Sequence, residues 1–224
     1  MTRFATIYGK AEAHAGGADA LAARLPSPLS SAELCALGDD RYLSLMSRRI
    51  FRAGLKHSLV DAKWPAFEEA FLRFDPKRVR ALSEDQLDAL MRDRRLIRHW
   101  GKIKAVCANA AEMGRIADAK GSVGAYLADW PACDIVGLWD ELARRFAQMG
   151  GNSSPYFLRM AGKDTFLLTA DVLRALERWA GLTIVPSSKR ARREAGEAIL
   201  RWAGEAARPL CQVSMILALS TGSD

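Results

Sequence analysis

The stretch of this chain best suited to chemistry runs Phe146-Ala147-Gln148-Met149-Gly150-Gly151-Asn152-Ser153-Ser154-Pro155-Tyr156. One amphipathic segment ends at a Gly-Gly turn and a second begins at once, with Ser154 placed as N-cap and Pro155 at the first helical position. Glycine tolerates positive φ, so successive amides can converge out of a tight loop, and amides converging beside a helix N-terminus hold an anion. A DNA phosphate suits such a site whatever the base sequence, with Gly150, Gly151, Asn152, Ser153 and Ser154 supplying the donors. The plainer alternative is a helix–turn–helix connection closed by a glycine C-cap. Lys102 and Lys104, with Arg94, Arg95 and Arg98, form a basic cluster that could face a phosphate backbone, although charge runs are more often a solvated helix face. In Lys189-Arg190-Ala191-Arg192-Arg193 the cations open a helix, where its dipole disfavours them; an anionic partner or solvent relieves this.

The elements that must position these groups read as helices almost throughout. Ser83-Glu84-Asp85-Gln86 ahead of Leu87, Leu90 and Met91 is a capping box, Ser30 with Glu33 is a second, and Asp75-Pro76 sets an N-cap before a first-turn proline. Ile135, Trp139, Leu142, Phe146 and Met149 form one apolar stripe, and Ala195, Ile199, Trp202 and Ala206 another. Leu210 to Leu219 is apolar nearly all round and should be buried. Alternation long enough for a sheet is missing, so the fold class is all-α.

With 224 residues the chain can bury one sizeable core or two small helical lobes. Half the residues are hydrophobic and 26% are charged, the balance of a globular protein. The net charge of +7, from 33 Lys and Arg against 26 Asp and Glu, suits a polyanionic partner. No apolar run approaches the ~20 residues of a membrane helix, and Met1 to Lys10 lacks the apolar segment of a secretory signal, so a cytoplasmic location is expected. Cys35, Cys107, Cys133 and Cys211 are scattered, with only His14, His57 and His99 besides, which argues for buried reduced thiols and against a zinc site.

The stretch Leu96-Ile97-Arg98-His99-Trp100-Gly101-Lys102-Ile103-Lys104-Ala105-Val106-Cys107-Ala108-Asn109-Ala110 resembles the I-R-H-x-G-K-I-x-A-x-x-x-N-A signature of the bacterial 3-methyladenine DNA glycosylase I family. Ala53-Gly54-Leu55 and Phe74-Asp75-Pro76 resemble that family's A-G-L and F-D-P landmarks, and Gly150 to Gly162 has the spacing of its hairpin. The likeness covers roughly Tyr42 to Leu182. Further on, Gly162-Lys163-Asp164-Thr165-Phe166-Leu167-Leu168-Thr169-Ala170-Asp171 resembles a segment of the wider helix–hairpin–helix glycosylase superfamily, and Pro209-Leu210-Cys211-Gln212-Val213-Ser214 resembles a helix packing beside its catalytic aspartate.

The resemblance implies a two-lobed helix–hairpin–helix fold over 1–224, with 38–130 and 131–182 carrying the likeness and 1–37 and 183–224 completing the lobes. It implies a monomeric base-excision enzyme that hydrolyses the N-glycosidic bond of a damaged, alkylated base in double-stranded DNA, without cofactor or metal. A non-catalytic lesion-binding protein is the alternative. The superfamily's catalytic aspartate corresponds to Asp171, with Asp164 as a second candidate and N-capping as Asp171's structural alternative. A flipped base needs stacking walls, for which Tyr42, Trp64 and Trp100 are the aromatic candidates, whereas Trp139 and Trp202 read as core. The family's pocket glutamate corresponds to Arg49 and its pocket tryptophan to His57, while its zinc ligands have no counterparts. A cation at Arg49 repels a positively charged base unless an acid pairs with it, and sooner suits a neutral lesion or a phosphate. The superfamily's lyase-type lysine falls near Pro155, so no Schiff-base step is implied.

Overall fold

The computed structural model describes residues 1–222, and among them it is helical with no strand. In chain order the helices are α1 (Phe4–Ala15), α2 (Ala18–Ala22), α3 (Ser31–Ala36), α4 (Asp39–Arg52), α5 (His57–Ala70), α6 (Pro76–Val79) and α7 (Glu84–Arg92). They continue as α8 (Trp100–Lys120), α9 (Val123–Asp129), α10 (Ile135–Arg145), α11 (Ser153–Met160), α12 (Ala170–Ala180), α13 (Lys189–Ala206) and α14 (Leu210–Ser220). Two compact units form: one from Met1–Leu29, Pro131–Gly137 and Gly162–Asp224, the other from Ser30–Trp130 and Leu138–Ala161. No described helix is long and apolar enough to cross a membrane.

Local chemistry sets many of the helix ends. Ser30 with Glu33 and Ser83 with Gln86 make both expected capping boxes, and Asp75 accepts from the amides of Lys77 and Arg78 ahead of α6. His99 caps α8 through its ring nitrogen, which accepts from the Lys102 amide, so the signature stretch carries the start of its own helix.

In the first unit α1 packs on α14, and α14 in turn on α12 and α13. Trp202 is fully buried and its Nε1 donates to the Thr2 carbonyl at 2.9 Å, tying the N-terminus to α13. Trp139, on α10, is buried as well, so both tryptophans read as core are core. Of the four thiols only Cys211 is buried; Cys35 and Cys133 are exposed, against the expectation that all four sit inside. Cys35 lies on the short helix α3 and Cys133 within the 3-10 turn Ala132–Asp134.

The second unit is built on an aromatic column. Trp64 and Phe67 on α5 and Phe71 at its C-cap follow at helical spacing, and the chain then turns Phe74 back so that its ring stacks on Trp64 at 5.4 Å and on Phe71 at 5.5 Å. That return requires Leu72, Arg73 and Phe74 all to hold φ between +56° and +58°, a left-handed conformation costing about 1–2 kcal/mol per residue. Arg41 offsets part of this by donating from Nη2 to the Arg73 carbonyl at 2.7 Å, while Nη1 and Nη2 also grip Glu68 and Nε grips Asp40.

Asp61 on α5 receives Arg52 and Arg48 from α4. The Arg52 hydrogen bonds, helped by Arg48 and opposed by burial, hold its carboxyl below the usual carboxylate range. A carboxyl lowered on folding stabilises the fold above its unfolded value, about pH 3.9, and that contribution fades as pH falls through the folded value. Urea melts of wild type and Asp61→Asn should therefore differ at pH 7, with the gap shrinking as pH falls from about 3.9 through the lower folded value; an equal gap at both ends contradicts the linkage.

Candidate nucleic-acid interface

The turn between α10 and α11 forms in the second unit, with Gln148 at φ +63° and Gly151 at φ +59°. Open space surrounds the positions where a Cβ would sit on Gly150 and Gly151, so the loop presents bare backbone. The amides of Gly150, Gly151 and Asn152 donate to no acceptor among the described residues, while the Gly150 carbonyl takes the Ser153 amide. Unmet amides at the start of an eight-residue helix, with no side-chain cap on Asn152, are what an anion needs.

The helix starts earlier than the residue types suggest. Asn152 is the N-cap and Ser153, Ser154 and Pro155 occupy the first turn, so Ser154 is not the cap. Both serines are buried, and the Ser154 hydroxyl donates back to the Met149 carbonyl at 2.7 Å. That hydroxyl closes the hairpin on itself and is not a donor to a ligand. Proline tolerates the third helical position for the same reason as the first, since that amide has no partner within the helix.

Asn109 in α8 positions the turn and carries no role in the sequence reading beyond its place in the signature. Its Nδ2 donates to the Ala147 carbonyl at 3.1 Å and its Oδ1 accepts from the Ala147 amide at 2.7 Å, a two-point clasp three residues before Gly150. Glu112, one turn on, receives Arg145 and Arg115. Burial pushes its carboxyl up, and the two guanidiniums outweigh that and hold it below the usual range. An asparagine between apolar residues on the buried face of α8 was the available signal.

The residues expected to wall a base pocket divide. Tyr42 is fully buried, its hydroxyl donating to the Leu34 carbonyl at 2.8 Å, and burial pushes its pKa up to about 12. Trp64 is 6% exposed, sandwiched by Phe67 and Phe74, with Nε1 donating to Ser44. Neither ring has a free face, so both are corrected to core. His57 is the exposed first residue of α5. Trp100 is 40% exposed at the start of α8, with the Lys104 ammonium 5.5 Å from its ring centre. Arg49 is half-buried on α4, its guanidinium 4.6 Å above the Tyr156 ring of α11.

The basic candidates divide too. Lys104 is exposed, but Lys102 is 8% exposed and its ammonium donates to the Phe51 and Ala53 carbonyls at 3.3 and 2.6 Å. It satisfies the carbonyl end of α4 and is not a surface phosphate contact. Arg95 is taken up by Asp93 and Glu69.

Both carboxylate candidates lie in the first unit. Asp164 accepts from the Leu210 amide at 2.9 Å and the Cys211 amide at 2.9 Å, one bond to each oxygen, and so starts α14. Asp171 does not cap α12, because Thr169 does, accepting from the Val172 amide. Its side chain, half exposed in the first turn, pairs with Arg174 one turn along.

A separate cavity of about 570 Å³ in the second unit is lined by four aspartates and four Lys or Arg residues, and contains none of the expected site residues.

Residues 35–147, half of the chain, match the family model for methyladenine glycosylase. Over 59 residues the chain is 39% identical to the DNA-3-methyladenine glycosylase of Haemophilus influenzae and to DNA-3-methyladenine glycosylase 1 of Escherichia coli. That segment is 26% of this chain and 32% of either relative, so the match spans about a third of their length. Among solved structures, a variant of 3-methyladenine DNA glycosylase I from Staphylococcus aureus is similar at a TM-score of 0.52 and 23% identity, over 62% of this chain and 81% of that one. A variant of 3-methyladenine DNA glycosylase I in complex with 3-methyladenine is similar at 0.53 and 23%, over 65% and 86%. At that identity the two structures establish the fold.

Proposed function

The chain belongs to the methyladenine glycosylase family, and from that premise we propose that it is a monofunctional DNA glycosylase acting on a damaged base in duplex DNA. The observation that carries this reading is the α10–α11 turn, where the unmet amides of three exposed residues stand at a helix N-terminus. The turn holds a backbone phosphate; the target base, hidden in the duplex, is flipped out for cleavage. The bond from the sugar C1′ to the base nitrogen breaks, its electron pair leaves with the base, and water supplies the oxygen that replaces it. Positive charge builds on the sugar as the bond lengthens, and a carboxylate stabilises it or takes the proton of the water.

Asp171 is the proposed carboxylate. What favours it over Asp164 is that each oxygen of the latter already receives a helix amide. Trp100 and His57, both exposed, are the proposed stacking and polar contacts to the base, and Lys104 a backbone contact. The partner is double-stranded DNA, bound by a monomer. One observation favours a lesion-binding protein without catalysis: the Asp171 carboxylate is already engaged by Arg174.

Binding of a labelled duplex across a salt series tests the hairpin. Gly151→Val forces a β-branched residue to φ near +59° in open space, so the turn re-forms without crowding its neighbours. Loss of charge-assisted bonds to one phosphate should weaken binding by about ten- to a hundredfold. Unchanged affinity in a variant with wild-type helicity contradicts the hairpin as the DNA contact.

A further inference from the structure

Arg49 is an unusual cation for this unit. Its neighbours on α4 are paired, Arg48 and Arg52 with Asp61 and Arg41 with Asp40 and Glu68. Among the described residues Arg49 has no ion pair, and its buried Nε has no hydrogen-bond partner. The cation beside it, Lys102, is turned onto the carbonyls of Phe51 and Ala53. Burial lowers the pKa of both, and the charge of Arg49 lowers that of Lys102 further. Two neighbouring cations without a carboxylate disfavour a third positive charge, and a buried donor without an acceptor is costly to keep.

The position of the guanidinium suggests where an acceptor would come from. It lies over Tyr156, three residues into the helix that opens at the hairpin. A group delivered there by bound DNA is either a phosphate or a base edge. Arginine presents a planar fork, which matches the paired acceptors O6 and N7 of a purine, and the hairpin amides already provide for phosphate.

We propose that Arg49, braced on Tyr156, reads the carbonyl-bearing edge of a neutral flipped purine, so that the preferred lesion is a deaminated or similarly oxygenated base and not a cationic alkylated one. The inference rests on the glycosylase reading for the delivery of a flipped base, and binding separates the two. The probes are three duplexes of one sequence carrying at a single position hypoxanthine, adenine or the cationic 7-methylguanine. Each is titrated with wild type, Arg49→Gln and Arg49→Lys over a salt series, and base release is followed in parallel. Wild type should bind the hypoxanthine duplex at least about tenfold tighter than the other two, the discrimination of one bidentate contact. Both variants should lose that preference, the lysine variant included because it keeps the charge without the fork, while the salt slope of Arg49→Gln on the adenine duplex stays at the wild-type value. Selective binding of hypoxanthine without release supports the role of Arg49 and overturns only the catalytic reading. Equal wild-type affinity for the three duplexes overturns the inference. So does an Arg49→Gln variant that binds all three equally less well with a salt slope lower by about one, since that is the mark of a phosphate contact.

Discussion

Asp171→Asn should lower single-turnover base release by roughly 10²–10⁴-fold, the usual contribution of a positioned general acid or base. Stability should barely move. Asp171 sits in the first turn of a helix already capped by Thr169, is half exposed, and makes a surface pair with Arg174 that is worth little. Asparagine keeps the shape and removes the charge that stabilises a sugar cation. Asp164→Asn is the informative contrast. It removes one of the two acceptor oxygens that start α14, so it should lower the unfolding midpoint and leave release per folded molecule near wild type. If Asp164→Asn abolishes release in folded protein while Asp171→Asn does not, the assignment of the two carboxylates is reversed.

Trp64→Ala should cost about 3–5 kcal/mol of stability, the range for deleting a large buried aromatic. The ring lies stacked between Phe67 at 5.0 Å and Phe74 at 5.4 Å and anchors its indole nitrogen on Ser44. Removing it opens a hole at the centre of the column and leaves the left-handed Leu72–Phe74 turn with only Phe71 of the two rings that Phe74 packs on. Trp100→Ala, at a site 40% exposed, should change stability by less than about 0.5 kcal/mol and instead weaken binding of lesion-containing duplex. Chemical denaturation of the two variants separates core from contact; a Trp64 variant as stable as wild type contradicts the column.

Helix ends were the most legible part of the chain, because a cap is a contact between residues two or three apart. Ser30 with Glu33, Ser83 with Gln86 and Asp75 with Pro76 all act locally, and all formed as their spacing requires. The Gly-Gly turn is legible for the same reason. What could not be read is which partner a side chain finds across the fold. Tyr42 and Trp64 have the residue types of a stacking wall, and a buried column uses the same types. Ser154 could cap forward to an amide or bond back to the Met149 carbonyl, and only the packed loop decides. Lys102 reads as a surface cation until Phe51 and Ala53, 51 and 49 residues earlier, bring their carbonyls to it. Asp164 depends on a helix that begins 46 residues later.

The most direct test is base release by wild-type protein under single-turnover conditions, from duplexes carrying alkylated and deaminated bases, with the strands examined before and after alkali. A glycosylase without lyase activity gives free base and abasic sites, and strand breaks only after alkali. DNA fully bound with no base released from any duplex would contradict it, and would make the hairpin the grip of a protein that recognises lesions without cutting them.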